Sequence, residues 1–221
     1  VSYNPETGST KTFSQMSDET EVDASAINQS SGVLAYSIRR SSSPNRIISL
    51  DSASGTRLMQ YVLPPSEIGV RAMGISDDGH FVYVAGVTSP MTIYRINAAT
   101  GNLNDSLTLS NGMNNATSML KYGGNFYITS GTNPVRLIVI GQSSISVTSS
   151  KSLSSSTPYL IDPTVSGDIA YYGNEGTPGV ITAINLSTKT VVGSLTLDPT
   201  ESGARNLTID KTNGLIYATT L

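Results

Sequence analysis

Cysteine is absent from this 221-residue chain. That removes disulfide frameworks, thiolate metal sites and cysteine nucleophiles together. A single histidine, His80, leaves no second imidazole for a His-ligated zinc or iron centre, and no metal or other cofactor is expected. Charge is scarce as well: 13% of residues carry one, about half the usual soluble share. Lys and Arg number 13 against 16 Asp and Glu, for a formal net charge of −3. No basic field exists to hold a nucleic-acid backbone or an anionic lipid surface. No apolar run approaches the roughly 18 residues of a membrane span, so no membrane insertion is expected, and no signal-peptide pattern is present. The chain starts at Val1 without Met, which reads as a processed product or an excised piece.

Serine and threonine, by contrast, make up 59 of the 221 residues. Few charges, few lysines and many hydroxyls fit an extracellular or cell-surface protein better than a cytosolic one. Self-similarity is the stronger signal. A tyrosine closing a short apolar run recurs at Tyr36, Tyr83, Tyr127, Tyr172 and Tyr217, at intervals of 44 to 47 residues. A second marker, the turn after the following run, sits at Asp51, Asn97, Gly141 and Asn185, and Asn4-Pro-Glu-Thr-Gly8 is its first copy. Within each unit, β-branched stretches such as Ile47–Leu50, Thr92–Ile96 and Val180–Ile184 have strand length. Asp78-Gly79 and Asn213-Gly214 are tight-turn dipeptides. No segment shows helical periodicity with caps. The chain is all-β, and four short strands per 45-residue unit predict a β-propeller.

The segments Ser76-Asp-Asp-Gly-His-Phe-Val-Tyr-Val-Ala85 and Val180–Leu195 resemble YVTN-type β-propeller repeats. That family occurs in surface-layer proteins and, in a related branch, in lactonase-like enzymes. The resemblance implies architecture over essentially the whole chain and carries little about chemistry.

Complete units fall at residues 21–64, 67–110, 114–154 and 156–198. Residues 201–221 carry the first two strands of a blade and residues 1–17 the last two. The expected fold is a single domain, 1–221, of five four-stranded blades, one of them completed by the N- and C-terminal halves. The halves can close a ring within one chain, or pair with a neighbour's halves and build a filament or surface layer.

Ligands of propellers gather where the first strands begin. Glu67-Ile-Gly-Val-Arg71 and Glu201-Ser-Gly-Ala-Arg205 share a pattern there, each arginine four residues before an isoleucine, Ile75 or Ile209. Asp23 stands likewise before Ile27, and counting onward places Asn115 and Thr157 at the remaining positions. Together Arg71, Arg205, Asp23, Asn115 and Thr157 would form a polar funnel, its guanidiniums suited to a carboxylate or an acidic sugar. Alternatively Glu67 and Glu201 pair their own arginines, or Asp23 bridges the two.

The acidic run Asp18–Asp23 lacks the glycine and spaced ligands of a calcium loop and reads as a solvated inter-blade loop. Asp23, Asp162 and Asp210 are the carboxylates available for hydrolysis, but Ile161-Asp-Pro-Thr and Ile209-Asp-Lys-Thr look like one recurring turn. His80 follows a hairpin glycine and reads as exposed turn chemistry rather than part of a Ser-His-Asp device. Tyr122, Tyr171 and Tyr172 could stack on a sugar or pack between blades. Asn-x-Ser/Thr triplets at Asn28, Asn104, Asn115, Asn185 and Asn206 are candidate glycosylation sites, although about four arise by chance at this composition. The function these features favour is a non-catalytic structural or binding module for a protein or glycan partner or for a second copy of itself. A lactonase-like or glycan-cleaving hydrolase and a self-assembling subunit are the alternatives.

Overall fold

A computed structural model of the chain describes residues 2–3, 10–11, 19, 21–39, 44–110, 113–153 and 159–220. Strands β1 (Ser2–Tyr3) and β2 (Thr10–Lys11) form a two-stranded antiparallel ladder. The next sixteen strands form four sheets, each an antiparallel meander in chain order. The first holds β3 (Glu21–Asn28), β4 (Val33–Arg39), β5 (Arg46–Asp51) and β6 (Arg57–Val62). The second holds β7 (Val70–Ile75), β8 (Phe81–Gly86), β9 (Thr92–Asn97) and β10 (Leu103–Thr108). The third holds β11 (Ala116–Tyr122), β12 (Asn125–Ser130), β13 (Arg136–Gly141) and β14 (Val147–Ser152). The fourth holds β15 (Ile161–Ser166), β16 (Ile169–Gly173), β17 (Val180–Asn185) and β18 (Thr190–Thr196). A final pair, β19 (Arg205–Asp210) and β20 (Leu215–Thr219), makes a second two-stranded sheet. Among the described residues there are thus four four-stranded sheets and two two-stranded ones.

Burial follows the strand's place in its blade. The two middle strands are buried on both faces, as in Phe81–Gly86 and Arg136–Gly141, so they read as continuous apolar runs. The outer strands β10, β14 and β18 are mostly exposed and correspondingly polar or mixed.

The turn marker holds to the residue. Asp51, Asn97, Gly141 and Asn185 each end a third strand, opposite Val33, Phe81, Asn125 and Ile169 at the start of the second. The tyrosine marker does not. From those starts, Tyr83 and Tyr127 lie two residues in, and so does Tyr171; Tyr36 and Tyr172 lie three in. Because side chains alternate along a strand, the two sets face opposite sides of their sheets. Tyr171, not Tyr172, is the register equivalent of Tyr83.

A further repeat appears only in three dimensions. The amide of a leucine at the end of each outer strand donates to the carbonyl just before the third strand of the same blade. Leu63 bonds Asn45 at 2.9 Å, Leu109 bonds Met91 at 2.8 Å, Leu153 bonds Val135 at 2.8 Å and Leu197 bonds Gly179 at 2.9 Å. The first three leucines are buried. Each latch fixes where the chain leaves one blade for the next.

The chain divides into two compact units, residues 1–88 with 92–107, and residues 89–91 with 108–221. In the first, β3 lies against β7, and Ala35, Ile47, Met73, Val82, Val84 and Ile96 pack into one core from both blades. In the second, β11 lies against β15 and β15 against β19, with Tyr127, Leu137, Tyr172 and Ile184 at the centre of its core. Fully burying such side chains stabilises each unit by about 1.5–3 kcal/mol apiece.

Candidate functional site

Every complete first strand, and β19, carries a β-bulge near its start. The register shifts between Val22 and Ala24, Val70 and Ala72, Ala116 and Ser118, Ile161 and Thr164, and Arg205 and Thr208. An extra residue in a strand bends it and re-aims a side chain. Beyond the bulges the ladders are regular, pairing Ala26 with Ala35, Gly74 with Tyr83, Leu120 with Tyr127, Thr164 with Tyr171 and Thr208 with Tyr217. Counting back three residues from those pairs gives Asp23, Arg71, Thr117, Ile161 and Arg205 as equivalents. Asp23 and Arg71 are the unpaired bulge residues of their strands, whereas Arg205 is paired with Thr219 and its bulge follows it. Thr117 takes the place expected for Asn115, and Ile161 the place expected for Thr157, which lies outside the described residues.

In the first unit, Asp23 pairs with Arg39 at 2.8 Å, and Arg39 also reaches Glu21 at 3.1 Å. The amide of Val70, at the start of the next blade, donates to the Asp23 carboxylate. Burial still pushes the Asp23 carboxyl above its ordinary range, outweighing Arg39. Arg71 projects from the bulge and is exposed. Glu67 is only 3% exposed, and its Oε1 accepts hydrogen bonds from Thr88 Oγ1 at 2.9 Å and Tyr94 Oη at 3.1 Å. Desolvation pushes the Glu67 carboxyl up despite both donors, and it pushes the Tyr94 phenol up as well. The Asn45 side-chain amide donates to the Glu67 carbonyl at 3.3 Å, tying one blade to the next.

The second unit treats the same position differently. Arg205 pairs with Glu175 at 2.5 Å, while Glu201 Oε2 accepts the amide of Asp198. Thr117 is buried and donates to the carbonyl of Leu160 at 2.7 Å, and Ile161 is buried and apolar. Asn115 has a positive φ of 52° and its carbonyl accepts the amide of Gly131. The carboxylates of Glu67 and Glu201 thus engage hydroxyls and an amide instead of the arginines four residues on. What the two copies of the pattern share is a turn: the Glu67 amide bonds the Pro64 carbonyl as the Glu201 amide bonds that of Asp198.

The acidic run also finds partners that the sequence hid. Glu19 is buried and accepts both terminal nitrogens of Arg57, at 3.0 and 3.2 Å. Its expected solvated character is corrected by that pair and by the Arg39 contacts; Asp18 and Thr20 lie outside the described residues. Asp162 and Asp210 are not one repeated turn. Asp162 sits in the β15 bulge with φ 46° and accepts the amide of Asn206, whereas Asp210 ends β19 and caps its hairpin through Thr212 and Asn213.

His80 is exposed, 3.2 Å from Asp78, whose carboxyl is held below its usual range by the Ser76 hydroxyl, the His80 amide and the nearby imidazole. These hairpin residues border a shallow cleft of about 300 Å³ with Ser31, Leu58 and Asn97. Tyr122 lies edge-on to Tyr127 at 6.2 Å and bonds Asp168 through its hydroxyl. Among the described residues, no three His, Asp or Glu converge on one metal position.

Of the glycosylation candidates, Asn104 and Asn206 are exposed. Asn28 is buried, and its side-chain amide donates to the carbonyls of Ser76 at 2.7 Å and Asp77 at 3.1 Å in the next blade. A glycan on that nitrogen would break the pair. Asn115 and Asn185 are half-buried, and Asn185 caps the turn before β18 through Thr188.

No protein-family model matches the chain and no curated protein matches its sequence. Its fold, however, is similar to that of many solved structures. A chain of a mitotic checkpoint complex crystal structure superposes with a TM-score of 0.72 at 14% identity, over 99% of this chain and 63% of that one. BamB from Moraxella catarrhalis superposes with a TM-score of 0.57 at 16% identity, over 89% of this chain and 60% of that one. The chain therefore spans less than two thirds of the length of either. At such identities the likeness shows fold alone, and the fold is an all-β propeller of four-stranded antiparallel blades.

Proposed function

We propose that this chain is a non-catalytic binding module of an extracellular or cell surface, and that it takes its partner where the first strands of the first unit begin. The observation that carries this reading is Ile68. At 74% exposure it is a large aliphatic side chain held out into solvent by a loop that cannot easily retract. Glu67 before it is buried and bonded, and Val70 after it is tied to Asp23. Asp23, which takes the Val70 amide and pairs with Arg39, borders this loop at Gly69, and Arg71 follows three residues on. A fixed apolar anchor beside arginine and within a polar rim has the make-up of a protein-binding hot spot. The mitotic checkpoint likeness supports a protein partner, and the hydroxyl-rich, lysine-poor composition supports a surface location.

The test is quantitative affinity enrichment from a surface fraction of the source cells. Wild type is compared with Ile68→Asp, Arg71→Glu and, as control in the other unit, Lys211→Glu. The reading expects one protein or glycoconjugate retained by wild type and control and lost with both site variants. Retention unaffected by either site variant, or metal-dependent turnover of lactones or glycans by the same preparation, contradicts it.

A further inference from the structure

Where one sheet packs on the next within a unit, the same contact recurs. The earlier sheet presents a face of its first two strands, and the later sheet receives it on its own first strand. Ala26, Val33 and Ala35 of β3 and β4 lie in one core with Met73 and Ile75 of β7. Leu120 and Tyr127 lie in another with Val165 of β15, and Tyr171 of β16 packs with Leu207 of β19. The ladders make these contacts equivalent. Ala26–Ala35, Gly74–Tyr83, Leu120–Tyr127, Thr164–Tyr171 and Thr208–Tyr217 are one pair in five sheets. Met73 and Leu207, one residue before that pair, therefore share a position that Ser25 holds in β3. Ile75 and Val165, one residue after it, correspond to Ile27.

On β3 the receiving face is open. Val70, Met73 and Ile75 of β7 are 1%, 6% and 3% exposed, whereas Val22 and Ile27 of β3 are 55% and 56% exposed. Ser25 between them is exposed as well. On β19 and β20 the presenting face is open. Tyr217, the equivalent of Tyr171, is 53% exposed, and Leu215, the equivalent of Val33, is 51% exposed, with Thr208 exposed on β19. None of these six residues carries a charge. We propose that a second copy of this chain seats its β19–β20 face on β3 of the first, with Tyr217 against Ser25 and Ile27 as Tyr171 lies against Leu207. The occupant follows from the chain's own sheet-to-sheet contacts. Wherever this receiving position is covered within a unit, the cover is the presenting face of the same repeat, and one chain exposes both members of the match. A tyrosine set in an apolar strip is also the residue type that anchors protein interfaces. Because the two faces differ, the contact is head-to-tail, and each copy in a pair keeps one face free for another. The inference goes beyond the proposed binding role of the Ile68 loop and uses different side chains.

Sedimentation velocity over a dilution series of the purified chain tests it, with wild type, Ile27→Lys, Tyr217→Glu and an equimolar mixture of the two variants. Both side chains are exposed, so each variant should melt as wild type does by circular dichroism. Ser25→Lys and Thr208→Glu, on the same two faces, replace any variant that melts early. Wild type should form dimers and larger species that dissociate on dilution. Each variant alone should associate about tenfold more weakly or less, because every contact it can make with its own kind includes the introduced charge. The mixture should form a discrete dimer and nothing larger, because Ile27→Lys keeps an intact Tyr217 face and Tyr217→Glu keeps an intact Ile27 face. A wild type that stays monomeric, as closure of the two faces within one chain would make it, overturns the proposal. So do variants that associate as wild type does, or a mixture no better than its components.

Discussion

The carboxylate of Glu67 lies over the backbone of Gly86 so closely that a methyl group on Gly86 would come within 2.1 Å of Oε2. That oxygen has no hydrogen-bond partner, while its twin takes the hydroxyls of Thr88 and Tyr94. Glycine at 86 is therefore required by Glu67 and not by backbone conformation. Gly86→Ala should destabilise the fold by about 1–3 kcal/mol, the usual cost of overpacking. Combining it with Glu67→Ala should cost less than the two changes added separately, as a double-mutant cycle in urea would read. Strict additivity would mean the two residues do not share the space.

Glu67 also gives a signed pH dependence. Its folded pKa is raised, by burial first, above an unfolded value of about 4.3. Its contribution is then fully present below the unfolded pKa and is lost as pH rises through the folded one. Glu67→Gln removes that loss, so the variant should gain stability relative to wild type as pH rises above about 4.3. Asp78 runs the other way. Its pKa is lowered, so its contribution holds above the unfolded value and falls away on acidification. Urea midpoints above about pH 4 check the first and midpoints below about pH 4 the second; a Gln variant that tracks wild type at every pH contradicts the first.

The Asp23–Arg39 pair predicts a strong coupling. Asp23 is nearly enclosed, with 7% of its side chain exposed, while Arg39 is about half exposed. Arg39→Ala leaves the carboxylate without its ion partner and should cost about 1–3 kcal/mol, the penalty of stranding a buried polar group. Adding Asp23→Asn should recover much of it. Equal destabilisation by the single and double variants in chemical denaturation would place the loss in Arg39 packing instead.

Asn28 and Asn104 share a triplet pattern but not a role. Asn28→Ala removes two bonds to the next blade and the cap of its own hairpin, and should destabilise by about 1–3 kcal/mol. Asn104→Ala, on an exposed outer strand, should stay within about 0.5 kcal/mol. Peptide mapping of the chain from its natural source should find Asn28 unmodified. A glycan there would contradict the buried geometry.

Strand content and the turn marker were legible in the sequence because Asp, Asn and Gly are demanded wherever a third strand must turn. The tyrosine marker misled by one residue, since Tyr171 and Tyr172 are adjacent and only pairing with Ala183 and Thr182 distinguishes their faces. Counting to Asn115 and Thr157 failed for a related reason. The first hairpin has four residues between Asn28 and Val33, the third only two between Tyr122 and Asn125, and every first strand adds a bulge. The count fell two residues short at Asn115 and four short at Thr157, which moves the expected position along the strand. The partners of Glu19, Asp23 and Arg205 were invisible because Arg57, Arg39 and Glu175 lie 16 to 38 residues away, reached through the sheet or the neighbouring blade. The buried fate of Glu67 left no trace beyond the glycine at 86.

The central claim is that the loop carrying Ile68 meets the partner. The most direct measurement places a photo-crosslinking amino acid at residue 68 in the protein expressed in its source cells, with residue 211 as control. Illumination should attach one discrete partner at 68 and nothing comparable at 211. Background labelling at 68, or the same product from both positions, would contradict the account.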